Sequence, residues 1–327
     1  RQRQMCIRDS LLGWLRAPEE ARGGVLLRLP MRVIRFPRRP LVMGIVNLND
    51  DSFSGDGRRD LEKALQHAGR QVEGGADLID VGLESARTNR APIPEEEEIE
   101  RFGAFFAEWG RTVARLCPVD AGQVWPPVVS ANTWRPRVVE ALLGMGVELI
   151  NDMGGLADCR NAALCARHGA ALLLMHTVGA PKTDQTARRW DDIIGELRRF
   201  FLSGMARARR AGLTSDRIIL DPGIDFAKPP GDGLTILREV EALGSFERPV
   251  LLPVSRKTVI GETLGIESPA DRDAGTLACL AAGVRGGAGI FRVHNVEAAW
   301  QALKVLWAIR QAGDCAGVLR AEAARFD

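Results

Sequence analysis

Polar residues stand at the carboxyl ends of a series of short apolar runs: Asn47, Glu84, Asn132, Asn151, Asp152, His176, Asp221, Ser255, Arg256, Lys257, Arg292 and His294. They combine amides, carboxylates and several cations. Neither a Cys/His cluster of the zinc type nor a GxGxxG or Walker loop is present. A heterocycle with an amide edge, carried on an anionic group, would use that mixture.

The elements that must position these groups repeat along the chain. Leu41 to Val46 is apolar and stops at Asn47. Seven later runs behave alike: DLIDVGLE (77–84), PVVSANT (127–133), ELINDMGG (148–155), ALLLMHT (171–177), RIILDPG (217–223), PVLLPVSRK (249–257) and GIFRVHN (289–295). Each is short and uninterrupted, as expected of a strand buried on both faces of a parallel sheet. Longer amphipathic segments lie between them, such as DLEKALQHAGRQVEGG, with apolar positions at helical spacing. Gly75, Gly146, Gly169, Gly212 and Gly287 precede the next strand, where a left-handed residue ends a helix. Eight such units over roughly 255 residues match the ~250 residues of a (β/α)8 barrel. An open doubly wound sheet is the alternative. In a barrel the site forms at the carboxyl ends of the strands, so Asn47 is expected to face a pocket rather than bulk water.

Composition narrows the classes. The 327 residues are 46% hydrophobic and 26% charged, with 44 basic and 42 acidic residues for a net +2. The charges are interspersed, so no footprint for nucleic acid or an anionic membrane is visible. No stretch approaches the ~20 apolar residues of a membrane helix, and no signal peptide is seen. The six cysteines form no CxxC pair, which predicts buried or idle thiols in a reducing cytoplasm. Residues 1–40 are expected to lie apart from the catalytic unit. Arg1–Ser10, RQRQMCIRDS, resembles a translated sequencing adapter. The pair GVLLRLP and MRVIRFP predicts a solvated lead-in hairpin ending in Arg35, Arg38 and Arg39. The barrel is expected over 41–315, with a tail over 316–327.

Seven stretches occur in a telling order: MGIVNLNDDSFSGDG, GADLIDVGLESAR, ELINDMGG, LMH, IILDPGIDFAK, PVLLPVSRKTVIG and FRVHNV. In that order, over residues 41 to 310, the chain resembles the dihydropteroate synthases, pterin-binding (β/α)8 barrels of folate synthesis. The resemblance implies a transferase that joins 6-hydroxymethyl-7,8-dihydropterin diphosphate to 4-aminobenzoate with Mg²⁺ assistance.

Residue by residue, the resemblance implies that Asp221 accepts from a pterin ring N–H and its exocyclic amine together. A turn or helix-cap role is its bland alternative. Asn151, Asn132 and Lys257 would complete the pterin contacts, although Asn151 is also readable as a loop amide. Arg292 and His294 share a side of the last strand and would grip the diphosphate. A core histidine is the competing reading of His294. Asn47 would offer its amide oxygen to Mg²⁺. Ser255 and Arg256 are assigned to 4-aminobenzoate, with Phe226 packing on its ring or in the core, and Arg87 joining from a loop. Asp51, Ser52 and Phe53 match a mobile first loop that would close over both substrates. A homodimer is implied too, with AAWQALKVLWAI (298–309) as a candidate face.

The chain also departs from the family pattern. Asn49 and Asp50 replace Thr-Pro, Asp56 shifts a loop acid, Ala86 replaces a threonine, and Asp225 stands where glycine is usual. Asn132 replaces a pterin-facing aspartate, exchanging a charge for a dipole beside a developing cation. Two other functions compete on these grounds. One is a pterin-binding paralogue with weak or no turnover. The other is a barrel that moves a methyl group from a folate to a corrinoid protein, which has no need of the SRK and RVH cations.

Overall fold

The structure, a computed structural model, describes residues 24–48, 57–83, 93–179 and 188–323. The adapter-like segment lies outside them. Two short strands come first, β1 (Leu26–Arg28) and β2 (Val33–Arg35), paired antiparallel. The apolar runs then become β3 (Leu41–Asn47), β4 (Leu78–Gly82), β5 (Val128–Asn132), β6 (Leu149–Asp152), β7 (Ala171–Met175), β8 (Ile218–Asp221), β9 (Leu251–Leu252) and β10 (Ile290–Val293). All neighbours pair in parallel, in the order β8-β7-β6-β5-β4-β3-β10-β9. A parallel bridge from Leu220 to Val250, just before β9, joins the two ends of this series. The architecture is a (β/α)8 barrel, and the open-sheet alternative fails because both edges are paired.

Helices follow the strands as the amphipathic spacing requires. They are α1 (Gly57–Glu73), α2 (Glu95–Val113), α3 (Pro136–Gly144), α4 (Arg160–His168), α5 (Ile193–Arg210), α6 (Pro230–Arg238), α7 (Thr258–Leu264), α8 (Asp273–Arg285) and α9 (Val296–Ala323). Asp192 caps α5 by accepting the Gly195 N–H at 2.8 Å, satisfying one of the amides that a helix start leaves unpaired. All five glycines expected before strands have positive φ. At Gly75 a Cβ would also collide with the Trp300 ring.

Alternation along each strand separates two cores. Val42, Val46, Ile79, Val81, Ile150, Leu172, Leu174, Leu220 and Phe291 face the helical shell. Leu41, Met43, Leu78, Val128, Leu149, Ala171, Leu173, Ile219 and Ile290 fill the barrel interior. This second cluster includes the hairpin, which corrects the expectation of a solvated lead-in. Leu27, Leu29, Ile34 and Phe36 are buried against the first residues of the barrel strands, so the hairpin plugs the amino-end mouth. Leu27 and Ile34 are opposite partners across it. Full burial of one such side chain contributes about 2 kcal/mol, enough to hold a two-strand element that is marginal by itself. Arg39 of the expected basic cluster is likewise drawn in, donating to both oxygens of the fully buried Asp77 at 2.9 and 3.1 Å.

Burial pushes the Cys279 thiol up to about 11 and the Cys165 thiol higher still, so neither is a thiolate nucleophile at neutral pH. Among the described residues, no helix is long and apolar enough to cross a membrane.

Candidate active site

Strand parity decides which polar residues enter the mouth. The interior face of β3 runs Leu41, Met43, Ile45, Asn47, and two-residue steps elsewhere bring Asp80, Ser130, Asn132, Asn151, Asp221 and Arg292 to the same side. These positions cluster toward the carboxyl ends, above the apolar filling. Asn47 ends β3 exposed at the rim. Asp152 and His176 fall one residue out of step and point into the helical shell.

The unexpected centre of the constellation is Asp80. Its side chain is fully buried, and three donors from three strands meet it. Oδ1 accepts from Ser130 Oγ at 2.6 Å. Oδ2 accepts from Asn151 Nδ2 at 2.9 Å and Arg292 Nε at 2.8 Å. A buried carboxylate requires such partners, and here they orient a cation and an amide at the mouth. The Arg292 contact uses Nε, and among the described residues its two terminal nitrogens have no hydrogen-bond partner, which leaves them for another anion. Asn132, one strand over, donates to Met153 Sδ at 3.1 Å. Among the described residues, the buried Oδ1 atoms of Asn132 and Asn151 have no hydrogen-bond partner. An unpaired acceptor of this kind costs about 1–3 kcal/mol until a donor arrives.

Asp221 lies at the end of β8, buried, and accepts the Gly223 N–H at 2.7 Å. Burial pushes its carboxyl up to about 6, opposed by that hydrogen bond and by Lys257, Lys228 and Arg292. These three basic groups are thus near enough to act on its charge. The loop after Asp221 is tightly shaped: Gly223, Asp225 and Ala227 all have positive φ. A Cβ at Gly223 would overlap the His176 carbonyl oxygen. Lys228 staples this loop from within, donating to Gly223 O at 2.9 Å and Phe226 O at 2.8 Å. Its Nζ also meets His176 Nδ1 at 2.8 Å. Burial brings Lys228 down to about 7, Asp221 opposing and Lys257 reinforcing the shift. His176, packed edge-on against Phe200 and Trp190, is kept neutral by burial first and Lys228 second. It is packed into the wall of the barrel.

The SRK segment approaches from β9. Ser255 Oγ accepts the His294 N–H at 3.1 Å and contacts His294 Nδ1 at 2.9 Å. Its hydroxyl thus orients the histidine. Arg256, at φ 59, places its guanidinium in a two-pronged pair with Asp273, at 2.7 and 3.0 Å. That pair anchors this turn to α8. Lys257 Nζ sits 4.9 Å from the centre of the Phe226 ring, a contact that the sequence reading did not anticipate. His294 is open to solvent along one edge, yet the surrounding protein and then Arg292, Arg256 and Lys257 push it down to about 4. Solvent at that edge moderates the effect without changing its direction.

The structure thus gathers Asn132, Asn151, Asp221, Lys257, Arg292, His294, Ser255 and Phe226 around one mouth. Arg87, Asp51, Ser52, Phe53 and Glu84 lie outside the described residues. Sequence reasoning missed Asp80, Lys228 and Asp273. Asp80 did carry a signal, being a lone acid inside the buried run LIDVG. Lys228 and Asp273 carried none, since their partners are set by loop folding.

A buried carboxylate with basic side chains nearby, beside buried amide acceptors, suits a ligand with paired N–H donors and an anionic tail. Comparison with known proteins agrees. Residues 43–294 match the family described as pterin binding enzyme. The dihydropteroate synthase of Escherichia coli (strain K12) is 34% identical over 273 residues, covering 82% of this chain and 90% of that protein. The Xanthomonas albilineans dihydropteroate synthase, solved with 4-aminobenzoic acid, superposes with a TM-score of 0.76 at 34% identity, covering 87% and 98%. The dihydropteroate synthase of Thermus thermophilus, solved in complex with 6HMPPP, gives 0.70 at 33% identity, covering 86% and 99%. By the extent of these matches, the chain belongs to the pterin binding enzyme family, alongside the dihydropteroate synthases.

Proposed function

We propose that this protein is a dihydropteroate synthase. It would condense 6-hydroxymethyl-7,8-dihydropterin diphosphate with 4-aminobenzoate, giving 7,8-dihydropteroate and diphosphate in folate biosynthesis. The observation that carries this reading is the convergence at one barrel mouth of Asp221 at the end of β8, the Asp80–Arg292 pair, Lys257 beside Phe226, and His294 held by Ser255.

Asp221 reads the pterin edge through a ring N–H and the exocyclic amine. The orphaned Oδ1 atoms of Asn132 and Asn151 take further N–H donors, while Lys257 donates to the pterin carbonyl. Arg292, oriented by Asp80, and His294, oriented by Ser255, bind the diphosphate. The methylene–oxygen bond breaks with its electron pair leaving on diphosphate, and positive charge spreads into the dihydropterin. Neutralising the leaving group is the main catalytic task. The amine of 4-aminobenzoate is neutral at pH 7, so its lone pair forms the new carbon–nitrogen bond without a dedicated base, and its proton passes to solvent. Phe226 packs on the benzoate ring. Ser255 and Arg256 support its carboxylate from their turn, and Arg87, Asp51, Ser52 and Phe53 cover the substrates.

Asn47 is the residue that would hold Mg²⁺. An exposed amide oxygen at the rim fits an ion that keeps several waters and takes phosphate oxygens. Among the described residues, no group of three His, Cys, Asp or Glu gathers for a metal. When bound, the ion supplies positive charge to the leaving diphosphate. A homodimer through α9 is part of this reading, supported by Val305 and Ile309, which are 60% and 65% exposed. So is a cytoplasmic location.

The second reading, a pterin binder without turnover, is favoured only by Asn132. Incubating the full chain with dihydropterin diphosphate, 4-aminobenzoate and Mg²⁺ separates the two. Amine-dependent diphosphate release supports synthase activity. Tight pterin binding with no release supports the second reading and rejects the first.

A further inference from the structure

Asp225 occupies a left-handed backbone position, φ 70, between Gly223 at 63 and Ala227 at 53. Glycine takes that conformation freely, whereas an aspartate needs something to hold it there. Its partner is on another element. Asp225 Oδ2 accepts the backbone N–H of Thr258 at 2.6 Å, and Thr258 is the first residue of α7. The neighbours on either side are informative. Phe226 follows Asp225 directly, Lys257 precedes Thr258 directly, and Lys257 Nζ lies 4.9 Å from the Phe226 ring centre. A single charge-assisted hydrogen bond therefore ties together the two segments that form this wall of the mouth. Lys228 holds the same loop from its inner side, through Gly223 O and Phe226 O, and Asp225 holds it from the outer side.

We propose that Asp225 is a positioning residue, a strut between the β8–α6 loop and the start of α7 that fixes the spacing of Phe226 and Lys257 and so shapes the slot for the aromatic amine. The identity of that amine as 4-aminobenzoate rests on the reading given above; the strut does not. The carboxylate touches neither substrate in this assignment. Its effect is on fit, and it belongs in KM for the amine more than in kcat.

The test uses the full-length protein with Asp225→Gly, which keeps the backbone and removes the strut, and Asp225→Asn, which tolerates the same φ and keeps a neutral acceptor. Asp225→Gly is expected to raise KM for 4-aminobenzoate about threefold, the scale of one lost hydrogen bond, with a smaller change in kcat. Hydrogen exchange at the Thr258 amide should quicken in the same variant, and Asp225→Asn should restore both. Unchanged Thr258 exchange, or faster exchange with the amine KM unaltered, overturns the proposal. If the wild-type chain shows no turnover, the functional reading fails separately. Thr258 exchange then still decides the strut, faster supporting it and unchanged rejecting it.

Discussion

Replacing Asp80 by asparagine keeps the shape of the side chain and removes its charge. Oδ1 of Asp80 serves Ser130 while Oδ2 serves both Asn151 and Arg292. An amide retains one oxygen, so whichever way it turns, its NH₂ faces at least one donor. Removing one partner of a buried pair costs about 3–5 kcal/mol. The Arg292 side chain keeps 20% exposure, so water recovers part of this, and about 2–3 kcal/mol is the expected loss. In a chain of this length that corresponds to a fall in Tm of about 3–4 °C. The functional consequence should be selective: KM for the dihydropterin diphosphate rises, because Arg292 loses its orientation, while KM for the amine changes little. A thermal-unfolding cycle of Asp80→Asn, Arg292→Met and the double variant isolates the link, with an expected coupling of about 1.5–3 kcal/mol. Additivity within about 0.5 kcal/mol would refute the reasoning, since the ion pair would then contribute nothing specific.

Protonating Asp221 should abolish pterin recognition, so kcat/KM for the pterin substrate rises about tenfold per pH unit below its value of about 6 and levels off above it. Because this folded value lies above the ordinary 3.8, the group's contribution to stability is complete below about pH 4 and is lost as pH rises through about 6. Asp221→Asn removes both dependences, whereas Asp152→Asn, at an acid also raised to about 6, leaves the kinetic profile intact; a flat wild-type profile from pH 5 to 7 would contradict the assignment. Asn132→Asp places a charge where an amide stands, worth up to about 4 kcal/mol at ~4 Å from a developing cation before desolvation is subtracted. Single-turnover rates should increase about tenfold at some loss of Tm, and an unchanged rate would remove Asn132 from the ionisation step. Leu27→Ala should lower stability by about 3 kcal/mol, because the side chain is fully buried in the plug. Its kcat should stay within about twofold of wild type, as the plug lies at the opposite mouth; a large loss of activity would show that the hairpin reaches the site.

The order of elements, the closing glycines and the alternation of faces along each strand were legible in the sequence, because a period of two and the freedom of glycine at positive φ are local properties; which parity faces inward was not, since runs apolar on both faces look alike, and Asp152 and His176 fell on the outer one. The residue types at the strand ends named the chemistry for the same reason. Which of those residues touch was decided only in three dimensions. Asp80 and Arg292 are 212 positions apart, brought together by barrel closure between β10 and β3 and the pairing of β3 with β4. Arg256 found Asp273, and Ser255 found His294, through loop paths that carry no periodic signal. The hairpin read as solvated because its apolar faces are short; a mouth of matching apolar residues, assembled from eight separate strands, is what buries them. Local pattern sets the alternation of side chains, and closure of the barrel sets which face turns inward and what each side chain meets.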